Sequence, residues 1–261
     1  MINMTNTSKF AAIATTLAAL ATFSLHAAII PASWDFGIGD DKDNLSDFTT
    51  TGTTSLQPDA ARLSISSHPD FVNSLAQTQI TDLGNGQNKN FEINLTFTPV
   101  QNVFSADFER IGILALSESA TSVTSGIAAL FHRGGSNTSY QLRFRHGLDT
   151  STTLATQTWT GLTSMGSVFD ATLKATYSGA NVTFDFTLTD ANNHSQTLTE
   201  TFVAASYDGQ FFGYGMRGNA TGGTMIADFD TFAVIPEPGT LVLVGLSGLA
   251  LAFSGLRKRR K

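Results

Sequence analysis

The amino-acid sequence predicts an all-β fold, a single β-sandwich that occupies residues 28–234. Short runs that alternate apolar and polar residues, rich in Thr, Val, Ile and Phe, recur through this region. Gly, Asn, Asp and Ser separate these runs, as they do in turns. No run keeps the period of about 3.6 residues that marks an amphipathic helix. Chains rich in strands and poor in helices form sandwiches or barrels, and we favour one sandwich.

Eleven runs have the length and alternation of strands. They are residues 62–66, 75–80, 91–98, 110–116, 127–132, 140–146, 171–177, 182–189, 196–202, 211–217 and 225–234. Two of them, 171–177 and 182–189, flank the turn Ser178-Gly179-Ala180-Asn181 and are predicted to pair as a hairpin. In the last run Phe229 and Phe232 are three residues apart, so strict alternation buries only one of them. A β-bulge at residues 230–231 would bury both.

Six motifs follow one another along this region. They are Trp34-Asp35-Phe36, Leu63-Ser64-Ile65, Asn90-Phe91-Glu92-Ile93, Ile111-Gly112-Ile113-Leu114-Ala115-Leu116, Phe211-Phe212-Gly213-Tyr214-Gly215-Met216-Arg217 and Asp228-Phe229-Asp230-Thr231-Phe232. In this order they resemble the concanavalin A-like and laminin-G-like jelly rolls. The resemblance spans most of residues 32–234 and implies a jelly-roll sandwich. An immunoglobulin-like sandwich is the alternative.

The first 27 residues have the three parts of a secretory signal peptide. Lys9 precedes the apolar stretch 10–25, and the small residues Ala27 and Ala28 follow it. We expect cleavage after Ala27 and passage of the chain through the secretion translocon. An uncleaved N-terminal anchor is the alternative.

The last residues form a second targeting segment in three parts. Pro236, Glu237 and Pro238 precede the uncharged stretch 240–256, and five cations end the chain: Arg257, Lys258, Arg259, Arg260 and Lys261. As a helix the stretch would be about 25 Å long, enough to cross a bilayer when basic residues snorkel at one end. The positive-inside bias keeps the cations cytoplasmic and places the body across the membrane. On physical grounds alone, an ordinary C-terminal anchor is the alternative.

These three parts, in this order at the chain end, resemble the PEP-CTERM protein-sorting domain of Gram-negative bacteria. The resemblance covers residues 235–261 only. It implies recognition by an exosortase, a membrane enzyme that processes the tail and releases the body or transfers it to the cell surface. The protein would then be transiently anchored in the inner membrane with its body in the periplasm.

The charge balance argues against nucleic acid as a partner. The chain has 15 basic and 21 acidic residues, and Lys9 and the five terminal cations lie outside residues 28–238, which leaves 9 basic against 21 acidic residues. A body with a net charge of about −12 lacks the basic footprint that nucleic acids require. The chain has no cysteine, so neither disulfides nor a thiol nucleophile contribute.

Catalytic motifs are absent from the sequence, and we expect no catalytic residue and no enzymatic activity. The nearest pair of acids, Asp107 and Glu109, shares a strand face by period two, but no third acid follows as in concanavalin A-like glycoside hydrolases. We expect this pair on a solvated face. The histidines are scattered.

One loop gathers the hard oxygen ligands that Ca²⁺ prefers. Asp41, Asp43 and Asp47 are the candidate ligands, with Asp40 and Asn44 beside them. EF-hand spacing fails because Leu45 occupies a ligand position. A solvated acidic loop is the alternative, and no other cofactor is expected.

The run 140–146 carries the candidate ligand-binding residues, Arg143 and Arg145. Tyr140, Leu142 and Phe144 should point to one face, and Gln141 and the two arginines to the other. Two cations on one face of an acidic protein could bind an anionic polysaccharide, with Trp159 near them. Alternatively, the arginines neutralise neighbouring carboxylates.

Three functions remain open at this point. The first is an exported, non-catalytic protein of the cell surface or extracellular matrix, associated with exopolysaccharide or biofilm. The second is a lectin-like carbohydrate-binding module. A glycoside hydrolase is the least favoured, because no strand carries its carboxylate motif.

Overall fold

Two antiparallel β-sheets make up the part of the chain that the computed structural model describes. That part comprises residues 32–36, 45–56, 60–66, 70–81, 83, 88–104, 108–134, 139–160, 166–218 and 223–237. The strands are β1 (Ala32–Asp35), β2 (Thr49–Thr51), β3 (Thr53–Leu56), β4 (Ala61–Ile65), β5 (Val72–Gln79), β6 (Phe91–Gln101), β7 (Arg110–Ser117), β8 (Ile127–Arg133), β9 (Tyr140–His146), β10 (Thr153–Trp159), β11 (Phe169–Ser178), β12 (Asn181–Asp190), β13 (Ser195–Val203), β14 (Phe211–Gly218) and β15 (Met225–Pro236). Two short 3₁₀ helices, Leu45–Asp47 and Ala204–Ser206, accompany them.

The strands are divided between an eight-stranded and a seven-stranded sheet. The first has the order β13-β12-β11-β6-β15-β4-β3, with β1 also paired to β15, and the second has the order β10-β9-β8-β7-β14-β5-β2. Consecutive strands pair as hairpins from β3 to β4, from β7 to β10 and from β11 to β13, and the other connections cross between the sheets. The predicted all-β sandwich is confirmed. The immunoglobulin-like alternative is wrong, since the described residues alone form fifteen strands, more than the seven to nine of that fold.

All eleven predicted strands are present, with ends that differ by at most three residues from those predicted. The hairpin of β11 and β12 closes where it was predicted, with Ser178 opposite Asn181. Four strands were not predicted, namely β1, β2, β3 and β10. The first three are at most four residues long, and β10 is an edge strand with one buried residue, Trp159. Neither kind shows a clear alternation of apolar and polar residues.

The β-bulge predicted in the last strand is confirmed. The register between β15 and β6 shifts between Phe229 and Thr231, which lie opposite the consecutive residues Phe97 and Thr96 of β6. As a result Phe229 and Phe232 are both fully buried. The extra residue of the bulge shifts the alternation of side chains by one position, so that the residues after it again face the core at the correct interval.

The space between the sheets is filled largely by aromatic side chains. Phe131 on β8 packs against Phe104, Tyr140, Trp159 and Phe169, with ring centroids 4.9, 5.6, 5.8 and 5.3 Å away. Rings in tilted and edge-to-face contact at these distances stabilise one another beyond their burial. The aromatic core therefore fixes the seven-stranded sheet on the eight-stranded one.

The two predicted targeting segments lie outside the described residues. Within residues 32–237, wherever the structure is described, no helix is long and apolar enough to cross a membrane. The signal peptide 1–27 and the membrane helix 240–256 therefore stay predictions.

Candidate functional site

A row of polar side chains crosses the outer face of the seven-stranded sheet. Arg110 on β7 lies opposite Arg217 on β14 and opposite His132 on β8, and His132 lies opposite Gln141 on β9. Directly opposite residues point to the same face of a sheet. The strand neighbours of this row are core residues: Ile111, Phe131, Leu142 and Met216. The row therefore faces away from the core.

Arg143 and Arg145 follow Gln141 at intervals of two on β9 and share its face. Arg143 is half-buried, whereas Arg145 is 4% exposed and Arg110 is 2% exposed. Together with Arg217, these residues bring four guanidinium groups to one side of the sheet. We call Arg110, Arg143, Arg145 and Arg217 the arginine cluster.

The segment 147–150 lies over the arginine cluster. Gly147 N–H donates to the carbonyl of Gly126 at 3.2 Å, and Asp149 N–H donates to that of Val123 at 2.7 Å. Leu148 is buried in a small apolar cluster on the same face, with Leu75, Leu114, Ala128 and Leu130. Gly147 has φ +63°, and a side chain there would collide with the Val123 carbonyl. This segment is thus fixed by packing and by main-chain hydrogen bonds.

The arginines contact segment 147–150 mainly through its main chain. Nη1 of Arg145 and, at 3.5 Å, Nη1 of Arg110 donate to the carbonyl oxygen of Thr150. Arg217 Nε lies 2.5 Å from Asp149 Oδ1. Arg143 donates to Gln141 Oε1 at 2.7 Å. Among the described residues, no carboxylate is seen paired with Arg143 or Arg145. Charge neutralisation by these two arginines stays a prediction.

Burial and mutual repulsion lower the pKa values in this group. Burial, followed by the charges of Arg145 and Arg217, lowers the pKa of Arg110 to about 9. Burial and the charges of Arg143 and Arg217 lower the pKa of Arg145 to about 10. Among the described residues, the carboxylate of Asp149 raises the pKa of Arg110. With pKa values of about 9 and about 10, Arg110 and Arg145 stay charged at neutral pH. The cluster is therefore a local excess of positive charge on an acidic protein.

Several buried polar atoms here have no protein partner. They are Nε of Arg110, Nε of Arg145, both ring nitrogens of His132 and Oγ1 of Thr150. A buried donor without an acceptor costs about 1–3 kcal/mol, and more when it is charged. Buried polar atoms in folded proteins are nearly always satisfied by protein, water or a ligand, so these atoms require partners from outside the chain.

An exposed aromatic ring borders the arginine cluster. Phe108, just before β7, is 47% exposed, and its ring centroid lies 6.2 Å from that of His132. Its φ of +68° lies in the left-handed region, which is costly for a bulky residue. Strained backbone that persists is found preferentially at functional sites.

Three of these residues, Arg110, Arg217 and Phe108, were not predicted. The arginines lie at the beginning of β7 and near the end of β14. Only the strand pairing, which joins distant parts of the chain, brings them to Arg143 and Arg145. An exposed phenylalanine next to an arginine is too common a signal to single out Phe108.

Two expectations about neighbouring residues are wrong. Trp159 lies opposite Tyr140 and points into the core, not to the face of the arginines. Glu109 is fully buried, not solvated, because it begins the core-facing set of β7 that continues with Ile111. Its partner Asp107 lies outside the described residues.

The structure describes one of the three predicted calcium ligands. The exposed Asp47 ends a 3₁₀ turn, and its Oδ2 accepts a hydrogen bond from the Trp34 indole at 2.9 Å. Asp41 and Asp43 lie outside the described residues. Among the residues described, no three His, Asp or Glu side chains are grouped to hold a metal. Calcium binding by this loop stays a prediction.

The predicted sorting signal begins inside the sandwich. Pro236 is buried as the last residue of β15 and lies opposite Phe91. A proline is tolerated there because no further ladder hydrogen bond is needed at a strand end. Glu237 is half-buried, and Pro238 and the basic residues 257–261 lie outside the described residues.

The buried histidine gives a prediction about pH. Burial and the charge of Arg143 lower the pKa of His132 from 6.5 to about 2. Below pH 6.5 the unfolded chain therefore binds a proton that the folded chain excludes, and stability falls by about 1.4 kcal/mol per pH unit from this group. We expect His132→Gln to lose less stability than the wild type between pH 6.5 and 4.5 in denaturant titrations. Parallel stability curves for the two proteins would contradict a neutral buried His132.

The two-sheet sandwich has the jelly-roll fold that is also found in solved lectin structures. The body resembles lectin II from Ulex europaeus (TM-score 0.57, 11% identity, 80% of this chain and 99% of that chain covered). It also resembles the Lotus tetragonolobus seed lectin, with a TM-score of 0.56 and 15% identity over 80% of this chain and 100% of that chain. A third similar structure is the Bauhinia forficata lectin in complex with GalNAc, with a TM-score of 0.53 and 13% identity over 80% of this chain and 99% of that chain. At such identities the likeness establishes the fold, and the predicted concanavalin A-like jelly roll is confirmed.

The second comparison concerns the tail. The PEP-CTERM protein-sorting motif matches residues 234–260, which confirms the predicted resemblance. The motif is that of an exported protein with a C-terminal anchor processed by an exosortase. No curated protein matches the chain.

Proposed function

We propose that the chain is an exported, non-catalytic protein of the cell surface or extracellular matrix that binds carbohydrate through its lectin-like body. The observation that carries this proposal is the union of a PEP-CTERM sorting motif with a lectin-type sandwich. An exported protein with a lectin-type sandwich is exposed to the polysaccharides that surround the cell. We therefore infer an association with exopolysaccharide or biofilm.

The proposed route to the surface follows from the two ends of the chain. The signal peptide takes the chain to the translocon, and the stretch 240–256 stops in the inner membrane with the basic residues 257–261 in the cytoplasm. The body folds in the periplasm. An exosortase then recognises Pro236, Glu237 and Pro238 and frees the body from its anchor.

Two features support carbohydrate binding and a non-catalytic role. Phe108 offers an exposed ring, and the arginine cluster beside it offers charged donors. Glycoside hydrolysis needs two carboxylates about 5–10 Å apart across the bond that is cut. Asp149 is the carboxylate whose charge raises the pKa of Arg110. Because it is paired with Arg217, it does not serve as one of two such catalytic carboxylates.

Carbohydrate binding is tested by applying the full chain in detergent micelles to a glycan array. We expect a restricted set of glycans to be bound above the level of micelles alone. The heat-unfolded chain is the control, because binding by a folded face disappears on unfolding. If no glycan is bound, the lectin function is wrong and a displayed matrix protein without glycan recognition becomes the better description.

A further inference from the structure

We propose that the arginine cluster binds the carboxylate of an acidic polysaccharide, whose sugar ring stacks on Phe108. The inference rests on the proposed carbohydrate binding and names its substrate class.

The charge of the arginine cluster calls for an anion. Four guanidinium groups converge on one face, and the carboxylate of Asp149 is paired with only one of them, Arg217. Arg110 and Arg145 are nearly fully buried. Buried charges without counter-charges are costly. A bound carboxylate would offset that cost and relieve the repulsion among the arginines.

The hydrogen bonds of the arginines leave the Nε atom of each buried guanidinium without a protein acceptor. Arg110 and Arg145 both use Nη1 to donate to the Thr150 carbonyl. Their Nε atoms are buried and have no protein partner. The edge formed by Nε and Nη2 is the fork that matches the two oxygens of a carboxylate. Two such edges, on the strands β7 and β9 that flank β8, suit a planar, bidentate anion.

The border of the arginine cluster suits a sugar in place of a free ion. Arg143 is half-buried and reaches solvent beside the buried pair. Phe108 exposes nearly half of its surface on the same side, beyond His132. A small inorganic anion gains nothing from contact with an apolar ring. A uronic acid has both an apolar ring face and a carboxylate. The pairing of ring and arginines therefore favours an acidic sugar.

The ligand class is tested with the full chain in detergent micelles and a hexamer of galacturonic acid. The matched probe is the methyl ester of that hexamer, which keeps the sugar and removes the charge. By calorimetry we expect the acid to bind at least tenfold more tightly than the ester, with binding weakened by salt. Equal affinities, or displacement of the acid by an equal concentration of inorganic phosphate, would overturn the proposal.

The residues are tested with matched variants. Arg145→Gln should weaken acid binding at least tenfold, and Arg143→Gln, at a half-buried position that tolerates change, should weaken it severalfold. Lys174→Gln, a cation on the eight-stranded sheet, should bind as the wild type does. Phe108→Ala should weaken the acid and the ester by the same factor. Wild-type affinity in both Arg143→Gln and Arg145→Gln would overturn the site.

The two proposals fail in different ways. If the glycan array reports neutral glycans while the galacturonic acid hexamer does not bind, carbohydrate binding stands and the acidic ligand is wrong. If neither probe binds, both proposals are wrong.

Discussion

Replacing Phe131 with alanine is expected to lower the free energy of unfolding by about 3–5 kcal/mol. The side chain is fully buried, and its ring contacts those of Phe104, Tyr140, Trp159 and Phe169. Its removal leaves a cavity whose rigid aromatic walls collapse poorly. Denaturant unfolding of the two proteins, followed by intrinsic fluorescence, measures the difference.

Phe108→Ala is the matched control for this prediction. The residue precedes the neighbouring strand β7, and nearly half of its surface is exposed. Its loss should change the free energy of unfolding by less than about 1 kcal/mol, as is usual for exposed positions. Equal losses for Phe108→Ala and Phe131→Ala would contradict the described packing of the core.

The second large effect concerns the sorting signal. We expect the double variant Glu237→Gln/Pro238→Ala to stay in the membrane fraction with its C-terminal tail uncut, because the exosortase no longer recognises the tail. Pro236 is left unchanged because it is buried at the end of β15. A substitution of Pro236 would disturb the packing of the sandwich, and a misfolded protein could not then be distinguished from one that fails to be sorted. Fractionation and immunoblotting of cells that make each form measure the result.

Glu200→Gln is the control for charge at this step. Glu200 is exposed on β13, and its substitution removes one carboxylate without touching the tail. This variant should be processed as the wild type is. Normal processing of the Glu237→Gln/Pro238→Ala variant would show that the exosortase does not recognise these two residues.

The sequence predicts much of the fold because the signals of this fold are local. Alternation marks each long strand, and the anomalous spacing of Phe229 and Phe232 predicts the bulge that buries both. Short strands such as β2, with three threonines, carry too few residues for alternation to be read. An edge strand such as β10 is only partly buried along most of its length, and its residues do not alternate between apolar and polar.

The site is predicted less well because strand pairing creates it. Arg143 and Arg145 lie on one strand, and their common face follows from period two. Arg110 and Arg217 join them only through the registers of β7, β8, β9 and β14. The burial of Glu109 could not be predicted either, because the sequence does not show which face of β7 packs against the other sheet. The sorting motif, by contrast, is contiguous and could be found without the fold.

The most direct test of an exported, sorted protein is the intact mass of the form that leaves the producing cell. The mass should correspond to a chain that begins after Ala27 and ends before the apolar stretch 240–256, with the whole sandwich through β15 retained. An extracellular product whose mass includes every residue through Lys261 would contradict processing by an exosortase, and with it the central claim about this protein.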